Sequence, residues 1–141
     1  WPVHCVRGTR GAEFHPGLRL TPHTVILSKG IKKDEDAYSA FQGRVLDGSY
    51  WFEGHLQTYD IDTLYIGGLA TDYCVKATVL DALRLGYKVR VLFHACRAVN
   101  LNPDDGRKAF AEMLEAGAVI SFEPHENMFM RKGQERKPRG A

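Results

Sequence analysis

Long apolar runs are missing from this chain. No segment approaches the roughly 18 consecutive hydrophobic residues that span a bilayer, so no membrane partner is expected. Cysteine is scarce, with three in 141 residues at positions Cys5, Cys74 and Cys96. An odd count without a Cys-x-x-Cys pair argues against a disulfide framework and fits a reducing, cytoplasmic compartment. An initiator methionine and a signal-peptide pattern are absent too. A start at Trp1-Pro2 reads as a fragment or a processed chain. Strong net charge is lacking: the total is +2, and Arg131, Lys132, Arg136, Lys137 and Arg139 against Glu135 give the tail +4, which leaves −2 for the body. Nothing in that body forms a basic surface for nucleic acid. Aspartate is absent before Asp34, an omission that matters below.

What is present reads as one domain over 1–125, large enough for a real core, followed by a basic, Gly- and Pro-containing tail over 126–141 that reads as disordered and solvated. Residues 1–23 are turn-rich, with Gly8, Gly11, Pro16, Gly17 and Pro22. Thr24–Leu27 reads as a short buried strand, with Lys29-Gly30 just past its end. Ala37–Phe41 reads as a short helix or turn. A helix over Leu46–Tyr59 is weakened by Gly48 and Gly54. Leu64–Gly67 is a second strand. Val75, Val79, Leu80, Ala82 and Leu83 recur at helical spacing and predict a helix over Asp72–Leu85, ended by Gly86. A strand over Val89–Phe93 follows. A helix from Pro103 to Glu115, capped by Asn100 or Asn102 and stopped at Gly117, precedes a strand over Ala118–Phe122. Strand–helix–strand–helix–strand with short links implies right-handed βαβ units, a parallel sheet and an α/β fold. Ligands in such sheets gather at the C-terminal ends of strands, where Lys29 and the turn Gly67–Cys74 both fall.

That turn, within Leu64-Tyr65-Ile66-Gly67-Gly68-Leu69-Ala70-Thr71-Asp72-Tyr73-Cys74-Val75, is the most informative stretch. Two glycines let backbone amides face a ligand, a Thr-Asp pair stands in capping position, and a cysteine enters the first helical turn. A helix N-terminus carries about half a positive charge and favours a thiolate. A nucleophile beside an anion-stabilising pocket is the chemistry this pattern serves, although a buried, inert thiol is the commoner use of a lone cysteine.

Three blocks together resemble the isochorismatase-like cysteine hydrolases, within them the nicotinamidase/pyrazinamidase group. They are Trp1-Pro2-Val3-His4-Cys5-Val6 with Gly8-Thr9 and Gly11–His15; Ser28-Lys29-Gly30 with Asp36–Phe41; and Gly68–Val75 with Cys96–Asn100. The likeness covers roughly residues 1–122. It implies a Rossmann-like three-layer α/β/α fold with a mostly parallel sheet, and an amidase that converts nicotinamide to nicotinate and ammonia through a cysteine thioester. Cys74 would be the nucleophile and Lys29 its partner. The amides of Ala70 and Cys74 would form the oxyanion hole, after a cis peptide at Leu69–Ala70. Trp1 and Tyr38 would face the pyridine ring. His4 would be one ligand of a divalent zinc, iron or manganese ion. His15, His23, His55, His94 and His125 show no ligand spacing, and Cys5 and Cys96 read as packed thiols.

The resemblance also implies an aspartate and further metal ligands upstream of the residues seen here, on a first strand lying between the strands at Thr24–Leu27 and Leu64–Gly67. Without that strand these two would not be neighbours. A separate piece, or a strand exchanged with another copy in a homo-oligomer, would supply it. Two other readings stay open: a related hydrolase acting on another small substrate, and an inactive remnant lacking the aspartate.

Overall fold

The protein is described by a computed structural model covering residues 2–46 and 50–122. Trp1 and the tail over 126–141 lie outside the described residues.

The central element is a three-stranded, fully parallel sheet in the order β3 (Thr63–Leu69), β4 (Lys88–Arg97), β5 (Val119–Ser121). Two crossovers build it. One runs through a helical segment that opens with a π-turn at Thr71–Val75 and continues as α2 (Lys76–Arg84), the other through α3 (Asp105–Glu115). The apolar spacing of α2 puts Val75, Val79 and Ala82 on one face, against Val89, Val91 and Cys96 of β4 and Met113 of α3. Met113, Val79 and Val91 are fully buried; burial of each such side chain stabilises by about 1.5–3 kcal/mol. The salt bridge Lys76–Glu112 at 2.9 Å joins the two helices across their outer side. They share one face of the sheet. The other face is open among the described residues, where Tyr65, Arg90 and Val119 stand side by side in register and exposed.

β4 runs four residues beyond the expected Val89–Phe93, because the parallel pairing resumes after a register shift: Ile66 pairs with Val91, whereas Gly68 pairs with Cys96. The shift is a bulge, and Gly67 makes it sterically feasible. A Cβ there would lie 3.0 Å from the Ala95 Cβ. Gly86 (φ 89°) and Gly117 (φ 107°) follow α2 and α3 in the left-handed conformation that ends helices.

Other boundaries move. The first strand is β1 at Leu27–Ser28 rather than Thr24–Leu27. It pairs antiparallel with β2 (Arg44–Val45), which the sequence does not announce. β1 and β3 belong to separate sheets. The short helix or turn expected over Ala37–Phe41 is a 3₁₀ turn at Ala40–Gln42, capped by the Ser39 hydroxyl. The helix expected over Leu46–Tyr59 is α1 (Phe52–Thr58), whose start is displaced past the bridge between Arg44 and Trp51. α3 begins after Asp104 instead of at Pro103. Asn100 and Asn102 do not cap it by the expected geometry, although the Asn100 side chain accepts from the Gly106 amide at 2.7 Å.

Candidate active site

The site is built where β3 ends. Gly68 adopts φ 132°, the Leu69–Ala70 peptide is cis, and the chain turns into the helix without a side-chain cap. The Ala70 carbonyl accepts from the amides of Tyr73 and Val75, both at 3.1 Å; the second bond makes the first turn a π-turn, a wide turn frequent at functional sites. Cys74 sits in this turn, partly exposed.

The Thr-Asp pair is not the cap its spacing suggests. Thr71 is buried, and the Asp72 carboxylate turns away from the helix to accept from the amides of Val99 (3.0 Å) and Asn100 (2.8 Å). Burial pushes the Asp72 carboxyl upward, but the Val99 and Asn100 amides, with its own amide and the Lys76 charge, outweigh it and hold its pKa below the ordinary carboxylate value. Asp72 thus ties the loop after β4 to the turn that carries the cysteine.

Lys29 reaches this turn from the end of β1. Its Nζ donates to Cys74 Sγ at 3.2 Å and to the Ala37 carbonyl at 2.6 Å. Residues 45 apart in sequence therefore meet at one rim, as the strand-end reading expects. Cys74, Lys29, Ala70, Tyr38 and His4 all line a single cavity of about 780 Å³. The Tyr38 ring lies 5.9 Å from that of Tyr73, and the two form an aromatic wall beside the sulfur. Glu35 and Asp36 line the same cavity, with Glu35 engaged by Lys32 at 2.7 Å.

Sequence reasoning missed Tyr73 and Thr78. The adjacency of Tyr73 to Cys74 was the available signal for the first. For Thr78 it was the i, i+4 spacing from Cys74, which lets a hydroxyl bond back to the Cys74 carbonyl (2.7 Å). Of the two thiols expected to be packed, Cys96 is buried, and burial pushes its pKa up despite the opposing Gly68 amide and Arg97 charge. Cys5 is exposed on an irregular segment at φ 47° and lines the cavity; among the described residues nothing buries its thiol.

A parallel α/β sheet with a cysteine just past the C-terminal end of β3, met there by a lysine from the end of β1, defines a class of cysteine-containing α/β proteins with a rim-sited cavity. Within that class the chain belongs to the isochorismatase family, whose domain profile matches residues 1–123. It is similar to the nicotinamidase of Escherichia coli, with 46% identity over 120 residues, covering 85% of this chain and 56% of that protein. Among solved structures, a nicotinamidase/pyrazinamidase of Acinetobacter baumanii superposes with a TM-score of 0.75 at 39% identity, covering 85% of this chain and 57% of that one. The pyrazinamidase of Pyrococcus horikoshii in complex with zinc gives a TM-score of 0.76 at 37% identity, covering 87% and 63%. The chain spans about half the length of the curated relatives it matches.

Proposed function

We propose that this chain carries the nucleophile of an amidase that hydrolyses nicotinamide, or a close pyridine carboxamide, to the carboxylate and ammonia. The observation that carries this reading is the 3.2 Å contact between Lys29 Nζ and Cys74 Sγ inside the aromatic-walled cavity. Cys74 Sγ attacks the carboxamide carbon, and the carbonyl oxygen becomes an oxyanion facing the amides of Ala70 and Cys74. The C–N bond then breaks and leaves a thioester; the thiol proton ends on the departing ammonia. Water adds to the thioester, releases the carboxylate and restores the thiol. The Lys29 ammonium offsets negative charge on the sulfur and the reacting carbon's oxygen. Proton transfer needs a carrier at the cavity, for which the resemblance implies an upstream aspartate; within this chain Asp36 and Glu35 are the carboxylates on the cavity wall. Tyr38 offers its ring to the pyridine face, and Trp1, outside the described residues, is assigned the same task.

A divalent metal is part of this reading, since the Pyrococcus horikoshii neighbour was solved with zinc. His4 is the residue this chain would contribute. Its Nδ1 lies 2.7 Å from the Pro2 carbonyl, and as donor there it leaves Nε2 free to coordinate. Among the described residues no three His, Cys, Asp or Glu side chains cluster as metal ligands. One imidazole falls short of the three or four protein ligands of a zinc site, so the described residues do not make up the site and no step here passes through it. The resemblance implies further ligands that complete the site. Three free cysteines favour a reducing, cytoplasmic setting. No helix among the described residues is long and apolar enough to cross a membrane.

Ammonia release from nicotinamide, with Cys74→Ala as control, tests the proposal. Turnover by the wild type that vanishes in the variant is expected; turnover that survives the substitution refutes the mechanism.

A further inference from the structure

We infer that Thr78, one helical turn beyond the nucleophile, is a positioning residue that holds Lys29 and Tyr38 against Cys74. Its hydroxyl donates to the Cys74 carbonyl at 2.7 Å and accepts from the Ala40 amide at 2.9 Å. The segment that includes Ala40 also presents the Ala37 carbonyl, which accepts from Lys29 Nζ at 2.6 Å, and the same Nζ donates to Cys74 Sγ at 3.2 Å. These contacts close a ring: from the sulfur to Lys29, to Ala37, along the backbone to Ala40, to Thr78 and back to the main chain of Cys74. The other side chains in the ring are the lysine and the nucleophile itself, so Thr78 is the one side chain outside that pair whose loss opens it. Thr78 is buried. Its hydroxyl has a single proton, committed to the Cys74 carbonyl, which leaves its oxygen to receive Ala40 in one orientation.

Lys29 is exposed and on a flexible stem, so its place beside the sulfur depends on where Ala37 is held. Opening the ring removes the Ala40 amide's bond to α2 and loosens the 37–40 segment, which carries the lysine's second anchor and the Tyr38 wall. Thr78 acts through Lys29, and this distinguishes a positioning role from ordinary helix packing.

This inference deepens the amidase reading but is tested without it. The probe is iodoacetamide, with alkylation of the Cys74 peptide followed by mass spectrometry in wild type, Thr78→Val, Thr78→Ser, Lys29→Met and the double variant Thr78→Val/Lys29→Met. Thr78→Val is expected to slow alkylation about three- to tenfold, and Thr78→Ser to stay within about twofold of wild type. In the Lys29→Met background Thr78→Val should add less than twofold. Independent effects that multiply in the double variant, or a serine that fails to restore the rate, would overturn the inference. If the protein also turns over nicotinamide, Thr78→Val should lower kcat and raise KM together. Wild-type failure on nicotinamide with the alkylation cycle intact would refute the amidase reading and leave the role of Thr78 standing.

Discussion

Replacing Lys29 by methionine removes one charge while keeping an unbranched chain of similar length. The ammonium lies 3.2 Å from Cys74 Sγ. Two unit charges at that separation attract by about 1 kcal/mol in bulk water and about 5 kcal/mol at an effective dielectric of 20. Lys29 is exposed, so the interaction sits toward the screened end. A charged hydrogen bond contributes a net ~1.5–3 kcal/mol, which lies between those limits. The variant should therefore lose about 10- to 150-fold in kcat/KM for nicotinamide, read as lost transition-state stabilisation. Its thermal midpoint should hardly move, because an exposed side chain changes stability by about 0.5 kcal/mol or less. Lys29→Arg keeps the charge but not the point geometry and should fall between the two. The assay is steady-state ammonia release beside a circular-dichroism melt. Activity of Lys29→Met within about threefold of wild type, with the melt unchanged, would refute the assignment.

Asp72 predicts a pH dependence of stability. Its folded pKa is lowered, so its contribution is present above the unfolded aspartate value of about 3.9 and is lost as pH falls through the folded value. The urea stability gap between wild type and Asp72→Asn should be open at pH 6 and shrink toward pH 3; a gap that widens on acidification would contradict the linkage. Met113→Ala should cost about 2–5 kcal/mol in the same urea titration, because the side chain is fully buried between α3 and the sheet. A loss below about 1 kcal/mol would mean the core does not close there. Cys96, buried and with its pKa raised, should be the last of the three thiols labelled by iodoacetamide at pH 8, and the exposed Cys5 should label without unfolding.

The sequence was legible wherever one periodic face was buried. α2 repeats its apolar residues every three to four positions, and those residues are the core. β3 and β4 are apolar runs rich in β-branched residues and are joined through a helix, so their existence and parallel pairing could be read. Their lengths could not, because the pairing beyond the bulge rests on Gly67 and Gly68 approaching Ala95 and Cys96 rather than on a hydrophobic pattern. β1 and β2 are two residues each, too short for any period. At the site, the strand-end reading put Cys74 and Lys29 on one rim, and the two side chains lie 3.2 Å apart. Asp72 misled because aspartate before a helix usually caps it, whereas a tertiary partner, the loop at Val99–Asn100, competes for the same carboxylate and wins. Thr78 was only half legible for a related reason: its bond to the Cys74 carbonyl is local, but the one that matters for the lysine crosses to Ala40.

The central claim is that Cys74 forms a covalent thioester with the carbonyl carbon of nicotinamide. The most direct measurement is acid quenching during turnover, followed by peptide mass spectrometry. A nicotinoyl adduct on the peptide bearing Cys74, absent in Cys74→Ala and removed by hydroxylamine, is the predicted result. Turnover with no adduct on Cys74, or with the adduct on Cys5 or Cys96, would contradict it.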